Sequence, residues 1–244
     1  MTARGLSAVD EVRDFVRAAL VTPVPRDHQE SDAAFRRRRV VAVITLLVGA
    51  GVLAWALRLA PGDPLFYVGT LALAAVWIAG SVASGRLHLG HGHTRDGGTS
   101  RAVVQSLVLG TTLLGVFLVG ALLVAQIPVL RGPVDVLLAH AHVGSLTVVA
   151  LITALNGIAE ELYFRGALYA GVGRRHAVAV TTIVYAFVTA AAGIPLLVLA
   201  AALLGLVTGL QRRVTGGILG PIITHLTWSL GMLFLLPVVL RWAA

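Results

Sequence analysis

Cysteine is absent from the 244 residues, which excludes a disulfide framework, a thiol nucleophile and a cysteine metal site. Lysine is absent as well, and all 19 basic residues are arginine, the usage expected of a GC-rich genome. Charge of any sign is scarce. Asp, Glu, Lys and Arg make up 12% of the chain, against about a quarter in soluble domains, and no acidic residue follows Glu161. With 57% hydrophobic residues, this composition excludes a soluble globular domain. The alternating pattern of a membrane barrel is also missing. What is there instead is a series of apolar runs long enough to cross a bilayer, recurring from residue 40 onward. The expected fold class is therefore all-α, a polytopic membrane helix bundle, because lipid requires each backbone group to be paired within its own segment.

The net charge is +8, but the arginines gather at the ends of apolar runs. They report orientation in the bilayer and do not point to a nucleic-acid partner. Residues 1–39 are polar. "LSAVDEVRDFVRAAL" sets Leu6, Val9, Val12, Phe15, Val16 and Leu20 near helical spacing among charges, as in an amphipathic helix lying on a membrane surface. "TPVPRDHQES" reads as a linker. The first apolar run starts behind "RRRR" (36–39), so the N-terminus does not read as a signal peptide. The spans then fall at about 40–60, 65–85, 102–127, 136–166, 177–192, 195–211 and 217–239, seven in all. "PGDP" (61–64) and "RGPVD" (131–135) turn on one side. The loop 85–101, "GRRH" (173–176) and "QRR" (211–213) carry the arginines on the other. One threading meets the positive-inside rule with a cytoplasmic N-terminus. Three sections are expected: residues 1–39, a cytoplasmic amphipathic helix and linker; 40–135, N-terminal transmembrane helices; and 136–244, a C-terminal core.

Inside the fourth span lies "NGIAEELYFRG" (156–166). Glu161 and Arg165 are i and i+4 on one helical face and can pair, with the acid N-terminal to the base. Glu160 lies about 100° away. Asn156, one turn earlier on its face, is placed to hydrogen-bond it. A carboxylate at the centre of a membrane helix costs roughly 2.5–3.5 kcal/mol on insertion scales, so it normally faces protein or a water-filled cavity. Two readings follow: both acids are solvated near Arg174 and Arg175 in the headgroup region, or Glu160 is a buried general base.

The remaining histidines sit elsewhere. His140 and His142 fall at the far end of the same span, about 27–30 Å from Glu160 at 1.5 Å per residue. His88, His91 and His93 form a Gly-rich "HLGHGH" loop whose spacing suits a metal but reads as a solvated, mobile cluster. His28 and His176 read as surface groups.

"EELYFRG" resembles the first motif, E-E-x-x-x-R, of the CPBP family of intramembrane proteases. That family includes type II CAAX prenyl endopeptidases and the bacteriocin-processing and self-immunity (ABI) proteins. The resemblance covers roughly 136–240. "THLTWS" is similar to the third motif, H-x-x-x-N, with His225 in place and Ser229 where Asn is usual. The second motif, F-x-x-x-H, falls in "TTIVYAFVTAAAG": Tyr185 takes the aromatic position and Thr189 stands where His is expected, while the frame from Phe187 puts Ala191 there.

The resemblance implies an intramembrane endopeptidase of the bacterial cell membrane. Glu160 would activate water, His225 would bind metal or stabilise the oxyanion, and Tyr185 or Thr189 would assist. The substrate would be a membrane-proximal peptide or protein, reached through a cavity open to the cytoplasmic half. The family is associated with a divalent metal, zinc, for which Glu160 and His225 would be ligands. Zinc usually takes three protein ligands and a water, and a metal-free glutamate mechanism fits the same residues. Two other functions remain open. One is a family member without catalysis, acting as a membrane scaffold or immunity protein, which the absent second-motif His favours. The other is a proton-coupled transporter built on Glu160, against which the lack of internal repeats counts.

Overall fold

The computed structural model describes residues 7–59, 63–142 and 145–243. Apart from a two-residue hairpin it is helical: α1 (Ala8–Val16), α2 (Asp32–Ala56), α3 (Pro64–Ser84), α4 (Val103–Ala125), α5 (Pro128–His142), α6 (Leu146–Glu161), α7 (Tyr169–Val172), α8 (Ala177–Thr189), α9 (Pro195–Thr215) and α10 (Leu219–Trp242). A π-helical segment, Leu162–Leu168, joins α6 to α7, and another, Arg17–Val21, follows α1. Strands β1 (Gly92–His93) and β2 (Thr99–Ser100) pair antiparallel in the loop after α3. Six helical stretches among the described residues are long and apolar enough to cross a membrane, with Leu146–Val172 counted as one; the apolar helix Ala177–Ala192 is shorter. The chain is a multi-pass membrane protein.

The outer surface of the bundle is apolar. Leu47, Val104, Val119, Leu151 and Phe187 are each more than 60% exposed, which water would penalise and lipid tails would not. Polar side chains point inward. Gln211 donates to Ser106 Oγ at 2.8 Å and accepts from Thr224 Oγ1 at 2.9 Å, tying α4, α9 and α10 together through buried side chains. Small residues let the helices approach, as is usual where lipid supplies no hydrophobic drive. Gly49 on α2 faces the Trp77 indole of α3, and Gly110 on α4 faces Thr224 and Thr227 of α10. Trp77 stacks on Tyr163 with centroids 4.4 Å apart, and the Tyr163 hydroxyl donates to Ala42 O at 2.7 Å. This cluster, with Phe164, Tyr185 and Leu204, is the core against which the carboxylate-bearing segment is held.

Four sequence expectations change. The span expected at 136–166 is divided: α5 ends at His142 and α6 begins at Leu146, so His140 and His142 are not on the helix that carries Glu160. Pro133 within α5 is a poor continuer of one long helix, and Ser145 stands in extended backbone ahead of α6. The side chains of His140 and His142, like Pro61 and Gly62 of the expected external turn, lie outside the described residues.

The first span begins at Asp32, where Ser31 Oγ accepts from Ala34 N at 3.3 Å, so the four arginines stand on its first turns. Of these, Arg38 is buried: it donates to Glu30, to Ser84 Oγ and to Arg86 O. "QRR" is no loop, because α9 runs on to Thr215 with Arg212 buried.

Two of the three loop histidines are packed, and His91 is exposed. His93 Nε2 lies 3.1 Å from Thr22 O and His88 stacks on His28 at 3.7 Å. The N-terminal linker is itself tied to the end of α9, Val24 N donating to Val214 O at 2.9 Å.

The turn between α9 and α10 depends on close backbone approach. A Cβ at Gly217 would collide with the backbone of Leu89 and Gly90. Gly217→Ala is expected to destabilise the protein by about 1–3 kcal/mol. Gly51→Ala, which meets nothing within 4 Å, should be neutral or stabilising by up to about 1 kcal/mol. Thermal unfolding of the two variants in one detergent checks the contrast.

Candidate active site

Glu160 is the fifteenth residue of the Leu146–Val172 span, about 21 Å from its start at 1.5 Å per residue, and so near mid-membrane. The helix then widens into the π segment 162–168, a distortion often found at functional positions. Glu160 and Glu161 diverge from this point. Glu161 turns into the protein, fully buried. Its Oε1 lies 3.2 Å from Arg165 Nη1 and 2.9 Å from His225 Nδ1. The Arg165 guanidinium is also fully buried and sits over the Tyr185 ring, 4.9 Å from its centroid. The Arg165 carbonyl accepts from Arg212 Nε at 2.7 Å. The expected Glu161–Arg165 pair is thus present, inside the bundle and not among headgroups, and His225 is its third member.

Glu160 faces a cavity of about 170 Å³. Its Oε2 accepts from the Tyr185 hydroxyl at 2.6 Å. Thr189 and Trp228 share the lining, and the rest is aliphatic: Leu53 and Leu57 from the end of α2, Leu197 and Leu204 from α9, and alanines. The choice between motif frames on α8 is decided by packing: Tyr185 is 8% exposed and Phe187 80%, so the frame that ends on Thr189 faces inward. Thr189 Oγ1 donates to Tyr185 O within its own helix at 2.8 Å.

His225, 5% exposed, is not part of the lining. With Nδ1 on Glu161, its Nε2 turns toward Gly157, where a Cβ would stand 3.7 Å away. Asn156 does not bond Glu160 as expected; its Nδ2 donates back to Ile152 O at 3.0 Å, because its own turn offers a nearer acceptor. Ser229 Oγ is buried with no hydrogen-bond partner among the described residues.

The arginine-rich ends are the start of α2, the end of α9 and the loops 85–101 and 173–176. Leu57, Ala192 and Leu197 lie at the other end of the bundle, so the cavity runs from mid-membrane away from the arginines.

The residues do not fit a three-ligand zinc centre. Glu161 is taken up by Arg165 and His225, Thr189 replaces an imidazole, and no group of three His, Cys, Asp or Glu among the described residues could hold a metal ion.

Sequence reasoning missed three contributors. Trp228 is i+3 from His225 and helical spacing could have flagged it. The lining from α2 and the clasp of Arg212 on the π segment had no sequence signal, since both are long-range contacts.

Residues 142–231 match the family model described as type II CAAX prenyl endopeptidase Rce1-like. The match spans all three motif segments. No curated protein and no solved structure matches the chain.

Proposed function

We propose, from the match of residues 142–231 to the Rce1-like type II CAAX prenyl endopeptidase model, that this chain is an intramembrane endopeptidase in which Glu160 activates the attacking water. The observation that carries the reading is a mid-membrane carboxylate facing a cavity, oriented by one phenol and kept apart from its neighbour's ion pair. Glu160 takes a proton from water as the oxygen attacks the peptide carbonyl, then returns it to the amine as the C–N bond breaks. The Tyr185 hydroxyl holds the carboxylate in one orientation. His225, its Nδ1 2.9 Å from Glu161, holds the neighbouring carboxylate in place and so keeps Glu160 turned to the cavity. No step requires a metal.

The aliphatic lining selects a peptide with apolar side chains. With the arginine-rich end in the cytoplasm of a bacterial cell, the scissile bond enters from mid-membrane toward the outer face, not at the cytoplasmic surface.

Tyr185→Phe is expected to lower the cleavage rate about 10- to 100-fold, part of the effect of one lost positioning hydrogen bond, with little change in the melting temperature. Mass spectrometry of a membrane-peptide library in vesicles reads both the cleavage site and the rate.

The substitution of Thr for the expected second-motif His favours a rival reading, a scaffold without catalysis. Thr189→His separates the two. It adds a donor to the cavity wall beside Glu160, and a single oxyanion donor is worth about 100- to 1,000-fold. At least a tenfold gain is expected, abolished when combined with Glu160→Gln. A folded Thr189→His protein that is silent, beside a wild type silent on every peptide, supports the scaffold.

A further inference from the structure

A second cavity, of about 250 Å³, lies at the opposite, arginine-rich end of the bundle, between the linker 22–31 and the loop 85–91. Arg26, His28, His88, His91 and Arg101 line it, and no carboxylate does. The floor is rigid. His91 N donates to Thr215 O at 3.0 Å, and Arg26 donates to Val214 O and Arg213 O at 3.0 and 2.6 Å. Arg26 is thereby pinned by the last carbonyls of α9. Arg101 makes no hydrogen bond or ion pair with any described residue, and the ring of His91 has no hydrogen-bond partner among them. The one nearby acid acting on this group, Glu30, is taken up by Arg38. Cations thus converge on a cavity with nothing to neutralise them.

The titration of the histidines agrees with this surplus: His28 is pushed down to about 4 by burial and by the neighbouring His88, Arg212, Arg26 and Arg174. A metal does not fit. The His28 and His88 rings lie face to face at 3.7 Å, only 13° from parallel, so their in-plane lone pairs do not meet at one point.

We propose that this cavity binds a phosphate-bearing anion, of the kind an anionic phospholipid headgroup presents at the membrane surface. Guanidinium groups take up phosphate oxygens in paired hydrogen bonds. The location favours the lipid source. The cavity sits where α3 and α9 end and α10 begins, beside the exposed Arg36, Arg37, Arg39, Arg174 and Arg175, at the level of the headgroups, where each basic residue adds to attraction for anionic lipid. The apolar residues of α1, with Val9 and Val12 68% and 63% exposed, lie just N-terminal to the same linker.

The test uses the full chain in detergent micelles at constant ionic strength, with native mass spectrometry and thermal unfolding as readouts. Phosphatidylglycerol, phosphatidylcholine and inorganic phosphate are the probes. Arg101→Glu reverses a lining charge that supports no contact in the fold; Arg95→Glu reverses an exposed charge of the same loop outside the cavity. The expected result is preferential retention of phosphatidylglycerol over phosphatidylcholine, weakened at least about tenfold by Arg101→Glu and unchanged by Arg95→Glu. Stabilisation by inorganic phosphate equal to that by phosphatidylglycerol, and lost in Arg101→Glu, supports the phosphate site and assigns it to free phosphate. Equal losses from the two reversals mean diffuse attraction to a basic surface and overturn the proposal, as does equal retention of the two lipids. If Arg101→Glu does not fold, His91→Gln takes its place with the same expected loss.

Discussion

Glu160→Gln should abolish peptide cleavage while leaving the fold intact. General base catalysis contributes about 10²–10⁴-fold, so the residual rate falls below one hundredth of wild type. The variant keeps the side chain's shape, and its amide oxygen can still accept from the Tyr185 hydroxyl, which is 2.6 Å from Glu160 in the native protein. The melting temperature should therefore hold or rise, because a charge beside an aliphatic cavity wall has been removed. Cleavage rate and thermal unfolding, measured on one preparation, decide the matter. If the variant retains more than a tenth of the wild-type rate, water is activated elsewhere.

Arg165→Ala should damage the fold first. Its guanidinium and the Glu161 carboxylate are both fully buried, 3.2 Å apart. Removing one partner of a buried pair strands the other, at a cost of about 3–5 kcal/mol. His225, already 2.9 Å from Glu161, offsets part of this as a remaining hydrogen-bond partner of the carboxylate, so the lower end of the range is the expected value. At about 2–4 °C per kcal/mol for a chain of this size, the melting temperature drops by roughly 6–12 °C, with a loss of yield from the membrane. Lost cleavage with full yield and an unchanged melting temperature would instead give Arg165 a direct part in the chemistry.

Different kinds of force account for what was legible. The membrane class follows from composition, since apolar runs in lipid have no structure open to them but helices. The Glu161–Arg165 pair follows from local geometry, because residues four apart share a face and even the π segment does not separate them. The three motif segments were located by their resemblance to the family's motifs.

Partnership across helices could not. Glu161 and His225 are 64 positions apart and Tyr185 is 25 from Glu160. Which of two adjacent carboxylates meets the imidazole and which meets the phenol depends on how α6, α8 and α10 rotate against one another. Periodicity leaves that rotation free, and the Trp77–Tyr163 stack and the glycine contacts set it. The same holds for Asn156, whose choice between Ile152 O and Glu160 turns on a side-chain rotamer. It holds for Thr189 over Ala191, decided once Tyr185 packs inward and Phe187 meets lipid. Arg38, Arg212 and the loop histidines read as solvated groups because charge near a span end is usually exposed. Arg38 and Arg212 are buried here and His88 and His93 half-buried, because the linker 22–31 folds back over the end of α9. Composition thus determined the class of fold, and local spacing together with the motif resemblance the residues available for chemistry. Tertiary packing decided which of them meet, and on which side of the bundle the cavity lies, because those contacts join segments that no helical period connects.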